Sequence, residues 1–143
     1  MEPSHVLVPL DGSSLALDAL SYALKVHGGK ITVLNVVTPI DTGMSEGSVV
    51  ETDEERKEEA RKRAERLVKK AKGSGVTETE RAVKIAVEVG TPAEEILEYV
   101  EETDVDHIVM GSHSGDGNVT SRLLGTVSTK VVSEAPVSVT VIK

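Results

Sequence analysis

The sequence predicts an α/β fold, with an open parallel sheet of five strands and helices on both of its faces. Short apolar runs alternate with stretches of helical spacing, so that strand and helix patterns follow one another from end to end. The run at 6–10 is almost continuously apolar, which is typical of a strand buried on both faces. The 143 residues hold no internal repeat and no linker, so 1–143 is predicted to be one domain.

The first strand is predicted over 6–10, and a helix follows directly. Ser13 or Ser14 can cap this helix, because a serine hydroxyl accepts a hydrogen bond from the first free amides. Apolar side chains recur every three to four residues up to His27, which is placed at the helix end. The pair Gly28-Gly29 then terminates the helix.

A second strand is predicted over 31–37, and the longest helix over 52–72. Between them, residues 38–50 include one proline and two glycines and are predicted to form a mobile loop. Thr52 and Glu55 have the spacing of a capping box, in which each side chain bonds the backbone amide of the other residue.

The second half of the chain repeats the alternation of strand and helix. The predicted elements are a strand at 81–89, a helix opened by Thr91-Pro92-Ala93-Glu94, a strand at 107–110, a helix at 125–134 and a strand at 137–142. The segment at 91–94 supplies a cap, a first-turn proline and a third-position glutamate in order.

Composition excludes several classes of function. The formal net charge of −8 repels nucleic acid and anionic membrane surfaces, so neither is an expected partner. There is no cysteine, which excludes disulfides, thiolate catalysis and zinc–cysteine sites. No apolar stretch is long enough for a membrane span, and the N-terminal run is too short for a signal peptide, so we expect a cytoplasmic protein.

Two loops are the expected place for a ligand. In an open parallel sheet, ligands bind beyond the carboxyl ends of the strands where the strand order reverses. These loops are Pro9-Leu10-Asp11-Gly12-Ser13 after the first strand, and the stretch from Met110 to Gly117 after the fourth strand, continuing to Ser128.

The second loop has the features of an anion site. Its glycines allow close approach to the backbone, and Gly125-Thr126 lies where the free amides of the last helix favour a phosphate. Ser112, Thr126 and Ser128 add hydroxyl groups. A surface loop with an ordinary helix cap explains the same spacing equally well, because no fixed phosphate-binding motif is matched.

Asp11 also has two interpretations. It can accept hydrogen bonds from a ribose or an adenine edge, or help to hold a metal near phosphates. It can equally be a turn residue before a helix, where aspartate is common. Residues 111–115 resemble a nucleophile elbow, but the third position is His113 rather than serine, so an ester or phosphate hydrolase ranks last. The four histidines do not have metal-ligand spacing, and no metal site is predicted.

Six segments in this order resemble the universal stress protein family, and together they span essentially the whole chain. They read VLVPLDGS at 6–13, VLNVV at 33–37, VGTPAEEI at 89–96, DHIVMGSH at 106–113, RLLGTVS at 122–128 and APVSVTV at 135–141. The resemblance implies a sheet of strand order 3-2-1-4-5. It also implies binding of ATP, AMP or ADP, with Mg²⁺ if the triphosphate is bound.

The resemblance also implies roles for individual residues. Asp11 contacts the ribose or adenine end, the backbone of Val36 reads the adenine edge, and the glycine loop holds the phosphates. The nucleotide-binding residues predicted in this way are Pro9, Leu10, Asp11, Val36, Gly90, Met110, Gly111, Ser112, His113, Ser114, Gly115, Gly125, Thr126, Val127 and Ser128.

The glycine loop departs from the pattern of nucleotide-binding members, which is Gly, two residues, Gly, nine residues, then Gly with Ser or Thr. Counted from Gly111, the second glycine position is Ser114, and ten residues separate it from Gly125. Asp116 adds a negative charge, and Arg122 is the only cation in the loop.

Two functions therefore stay open. The first is a nucleotide-binding regulatory protein with slow or no hydrolysis, in which the nucleotide orders the loops at 38–50 and 111–126 and a protein partner reads the result. The second is a nucleotide-independent interaction module. The last strand has an uncharged apolar edge around Val139, so a homodimer through 137–141 is expected.

Overall fold

Strands and helices alternate along the whole described part of the chain. The computed structural model describes residues 4–11, 14–39, 52–73, 82–112 and 125–143. The elements are β1 (His5–Leu10), α1 (Ser14–Val26), β2 (Lys30–Val37), α2 (Asp53–Gly73), β3 (Val83–Val89), α3 (Pro92–Glu102), β4 (His107–Gly111), α4 (Thr126–Glu134) and β5 (Ser138–Ile142). All nine predicted elements are present. No helix within these ranges combines the length and the apolar character that a membrane span needs.

The five strands form one parallel sheet in the order β3-β2-β1-β4-β5, which confirms the expected topology. β1 pairs with β2 over its whole length, from His5 opposite Lys30 to Leu10 opposite Asn35. On its other side, β1 pairs with β4. The chain moves outward from β1 to β3 and then returns to β4, so the strand order reverses between β1 and β4. A crevice at the carboxyl ends of these two strands is the expected result.

β1 is buried on both faces, as its apolar run predicts. Val6, Leu7 and Val8 are each 0% exposed. Val6 and Val8 pack in a cluster with α1 and α2, whereas Leu7 packs in a second cluster with α3 and α4. Burial of each such side chain contributes about 1.5–3 kcal/mol, so both helical layers are held against this one strand.

The two predicted capping boxes have different outcomes. At the start of α2, the amide of Glu55 donates to Thr52 Oγ1 at 3.1 Å, and the amide of Thr52 donates to Glu55 Oε1 at 2.9 Å, which confirms the box. At α3, Thr91 occupies the cap position but makes no side-chain cap hydrogen bond. The predicted cap position of Thr91 and the first-turn position of Pro92 are confirmed, but Glu94 pairs with Lys130 of α4 at 3.9 Å instead of completing a capping box.

The first helix ends close to its predicted end. α1 begins at Ser14, while Ser13, the other candidate cap, lies outside the described residues. The amide of His27 donates to the carbonyl oxygen of Ala23 at 3.0 Å, which places His27 at the helix end as expected.

Two aspartates hold the amino end of the sheet together. Asp106 accepts hydrogen bonds from the Ser4 amide at 2.9 Å and from the His5 amide at 3.1 Å. Asp104 Oδ1 lies 2.5 Å from Nδ1 of the buried His5, whose Nε2 lies 2.7 Å from Thr32 Oγ1. The backbone hydrogen bond from Ser4 lowers the pKa of Asp106, and the hydrogen bond with His5 lowers the pKa of Asp104.

Stability is therefore expected to fall in acid. A carboxyl whose pKa is lowered by folding stabilises the fold fully above its ordinary pKa, 3.8 here, and this contribution is lost as the pH falls through the lowered value. Asp106→Asn should reduce the free energy of unfolding at pH 7 by about 1 kcal/mol, allowing for solvent screening. The free energy of unfolding of this variant should also fall less steeply as the pH is lowered. Urea unfolding at pH values from 7 to below 3.8 measures both effects. The same acid slope in the variant and the native protein would contradict this assignment.

Candidate functional site

A cavity of about 240 Å³ opens at the carboxyl ends of β1, β2 and β4. The first turns of α1, α3 and α4 close its sides. Its lining residues are Pro9, Leu10, Asp11, Ala16, Leu34, Val36, Pro92, Ile96, Met110, Gly111, Gly125, Thr126, Val127 and Ser128. The cavity lies at the reversal of strand order, where parallel sheets place their ligands.

Part of the cavity lining is apolar. Leu34 and Val36 are two residues apart on β2 and therefore lie on the same face of the sheet. Ile96 of α3 and Met110 of β4 belong to the same apolar cluster as Leu34. A flat, uncharged ring system can be buried against such a surface, because its transfer from water is favourable.

The start of α4 forms another part of the lining. Gly125 is the cap residue, and the amides of Thr126, Val127 and Ser128 have no carbonyl partner within the helix. The helix dipole adds positive potential at the same place, so this end favours an anion such as a phosphate.

Ser112 holds the start of α4 in position. Its amide donates to the carbonyl oxygen of Ile142 in β5 at 2.8 Å, and its own carbonyl oxygen accepts from the Gly125 amide at 2.6 Å. The Ser128 hydroxyl donates to the same carbonyl oxygen of Ser112. These bonds tie the first turn of α4 to the ends of β4 and β5. A phosphate contact donated by Ser128 would require that its bond to Ser112 is exchanged.

Ten of the predicted binding residues line this cavity. They are Pro9, Leu10, Asp11, Val36, Met110, Gly111, Gly125, Thr126, Val127 and Ser128. Gly90 and Ser112 are not among the lining residues. Gly90 donates its amide to the carbonyl oxygen of Val37 at 2.9 Å, and Ser112 is 1% exposed. The predicted residues His113, Ser114 and Gly115, as well as Asp116 and Arg122, lie outside the described residues.

Four lining residues were missed by the sequence analysis. They are Ala16, Leu34, Pro92 and Ile96. Leu34 could have been found, because it lies two residues before Val36 on a strand and so shares its face. Pro92 and Ile96 could not, since only the packing of α3 brings them to the ends of β2 and β4.

Among the described residues that line the cavity, Asp11 is the single one with a titratable side chain, and it is exposed. Across the residues that the structure describes, no group of three or more histidine, aspartate or glutamate side chains is placed to hold a metal ion. A Mg²⁺ ion can still fit here, because Mg²⁺ is often held by one or two carboxylates, several waters and the phosphates of its ligand.

Comparison with known proteins gives one consistent family. The model of the universal stress protein family matches residues 3–143. A universal stress protein of Methanocaldococcus jannaschii is 32% identical, over 96% of this chain and 81% of its own length. A universal stress protein of Thermus aquaticus is 33% identical, over 96% of this chain and 97% of its own length.

Solved structures agree in fold. The universal stress protein UspA of Lactobacillus plantarum superposes with a TM-score of 0.73 at 25% identity, covering 100% of this chain and 99% of its own. A universal stress protein solved in complex with cAMP superposes with a TM-score of 0.71 at 22% identity, covering 100% of this chain and 99% of its own. A universal stress protein of Archaeoglobus fulgidus in complex with dAMP superposes with a TM-score of 0.65 at 20% identity, covering 100% of both chains. The last two likenesses show the fold alone.

Gly111 is expected to be intolerant of any side chain. A Cβ added there would lie 2.8 Å from Cβ of Leu15, so the first turn of α1 would have to move away from β4. We expect Gly111→Ala to lower the free energy of unfolding by about 1–3 kcal/mol, measured by urea denaturation. Gly73→Ala is the matched control, because a Cβ there meets nothing within 4 Å. It should be neutral or stabilise by up to about 1 kcal/mol. Equal effects of the two substitutions would contradict the packing argument.

Proposed function

The chain belongs to the universal stress protein family, and from this premise and the geometry of its cavity we propose that it binds an adenine nucleotide as a regulatory ligand. The observation that carries the proposal is that one cavity is lined both by apolar side chains and by the start of a helix. The apolar lining that includes Val36 and Ile96 suits the base, and the first amides of α4 suit the phosphates.

Asp11 completes the proposed arrangement. It lies at the carboxyl end of β1, and it lines the cavity together with the apolar residues and with Gly125. A ribose that joins the base to the 5′-phosphate would lie beside it, and the carboxylate can accept a hydrogen bond from a ribose hydroxyl. The cAMP and dAMP held by two fold neighbours support an adenine nucleotide as the ligand class.

We expect ATP to bind with Mg²⁺ and to be hydrolysed slowly or not at all. Efficient phosphoryl transfer needs cationic groups on the transferring phosphate and a residue that positions the nucleophile. Among the described residues that line the cavity there is no lysine or arginine, and Asp11 is the one candidate base. The role is therefore that of a cytoplasmic binding protein whose nucleotide state is read by a partner protein.

A nucleotide-independent interaction module is the second candidate. The observation that favours it is the edge position of β5, which has β4 as its one neighbour among the strands that the structure describes. Ser138 is exposed, and Val139 and Val141 are partly exposed. An uncharged parallel-sheet edge of this kind can pair with a second copy, so we propose a homodimer through β5.

Nucleotide binding should depend on Asp11. Native mass spectrometry of the freshly purified protein should detect a bound adenine nucleotide, and calorimetric titration of the emptied protein with MgATP should give micromolar affinity. Asp11→Asn should weaken binding about tenfold, because a neutral amide oxygen replaces the charged acceptor of the ribose hydroxyl. Asp18→Asn makes the same charge change at an exposed position of α1 outside the cavity, and should bind as the native protein does. The nucleotide-independent interaction module becomes the favoured function if mass spectrometry detects no bound nucleotide and calorimetry detects no heat of binding at millimolar MgATP.

The dimer should respond to charge on β5. Ser138→Lys places like charges across a two-fold axis at the edge strand, so it should shift the mass measured by light scattering from dimer to monomer at micromolar concentration. Ser133→Lys, at an exposed position of α4, is the control and should leave the dimer intact. A native protein that is already monomeric at this concentration would overturn the proposal.

A further inference from the structure

Arg63 of α2 lies where two side grooves of the nucleotide cavity meet. The first groove separates the carboxyl end of β2 from α2, and it shares Asp11, Val36 and Pro92 with the cavity. The second groove runs along α2 and shares Leu10 with the cavity. Arg63 lines both grooves, so a group that extends from the cavity into either groove enters a space that this residue borders.

Positive charge is concentrated along these grooves. Arg63, Arg66 and Lys70 line the second groove at positions that share one face of α2, with no carboxylate among its described lining residues. Arg56 adds a cation to the first groove, where Glu59 and Asp11 are the acidic groups. In a chain of net charge −8, such a cluster creates a local potential that attracts an anion.

Arg63 is able to turn toward a ligand. Its Nη1 lies 4.0 Å from Glu59 Oε1, and the two side chains are 53% and 64% exposed. An ion pair this long and this exposed contributes little, so exchanging it for a phosphate is favourable. Arg56 differs, because its Nη1 donates to the backbone carbonyl oxygen of Thr38 and so is held at the end of β2.

We propose that Arg63 binds a second phosphate, carried on the ribose, so that the preferred ligand is an adenine nucleotide phosphorylated at its 2′ or 3′ hydroxyl as well as at the 5′ position. The inference rests on the proposed function and names its ligand more closely. With the base at Val36 and the 5′-phosphate at α4, the ribose lies beside Asp11, which lines both the cavity and the first groove. One ribose hydroxyl donates to Asp11. The phosphate on the other hydroxyl enters the groove, where the planar guanidinium of Arg63 can donate two hydrogen bonds to it.

The test compares 5′-AMP with adenosine 3′,5′-bisphosphate and adenosine 2′,5′-bisphosphate by calorimetric titration of the full chain. At least one bisphosphate should bind about tenfold tighter than 5′-AMP, as expected for an added charge-assisted hydrogen bond pair. In Arg63→Gln the affinity for the preferred bisphosphate should be about equal to the affinity for 5′-AMP, because the guanidinium that binds the second phosphate is gone. Lys62→Gln is the matched control. It removes the neighbouring cation of α2, which is exposed and lines neither groove, and it should keep the native ratio.

The outcomes separate the inference from the function on which it rests. The inference is overturned if 5′-AMP binds and neither bisphosphate binds more tightly, or if the preference for a bisphosphate persists in Arg63→Gln. In both cases the cations of α2 are solvated surface charges, and the proposed nucleotide-binding function stands. If no nucleotide binds to the native protein, both are overturned. Thermal unfolding of the three proteins shows whether they are equally folded, and rescue of the preference in Arg63→Lys would further support a cationic contact.

Discussion

The burial of β1 on both faces is the constraint on which the rest of the molecule depends. A strand with Val6, Leu7 and Val8 fully excluded from water needs an apolar layer above it and another below it. α1 and α2 supply one layer, and α3 and α4 supply the other. Because right-handed crossovers must reach both faces, the chain leaves β1 in one direction and later returns on its other side. The crevice at the carboxyl end of β1 is a consequence of that reversal.

The proposed binding site depends on a small number of hydrogen bonds around Ser112. The start of α4 is a source of free amides only if it is held still at the mouth of the cavity. Ser112 does this, since its amide bonds to β5 and its carbonyl oxygen accepts from Gly125 and from the Ser128 hydroxyl. A buried serine outside the cavity lining thus holds the helix start at which we propose that a phosphate binds. The close contact of Gly111 with Leu15 has a similar effect on α1.

Charge is distributed so that the two ends of the sheet have different roles. At the amino end, Asp104 and Asp106 accept hydrogen bonds from His5 and Ser4, and they stabilise the fold there. At the carboxyl end, an otherwise acidic protein gathers the cations of α2 beside the cavity. The same long helix therefore serves as an apolar cover for the sheet on one face, through Ala60 and Ala64, and as a positive wall on another.

Local patterns in the sequence were enough to predict the alternation of strands and helices and the burial of β1 on both faces. They also predicted the capping box of Thr52 and Glu55, and the places of Asp11 and Gly125 at strand and helix ends. These features depend on periodicity and on local hydrogen bonds, which short stretches of chain specify. The three-dimensional packing was needed to show that Thr91 does not cap α3 through its side chain and that Ser112 is buried. It was also needed to place Pro92, Ile96 and Arg63 at the cavity or its grooves. Each of these features depends on how segments far apart in the chain pack against one another. A pattern within one short segment carries no information about the distant segment against which it packs.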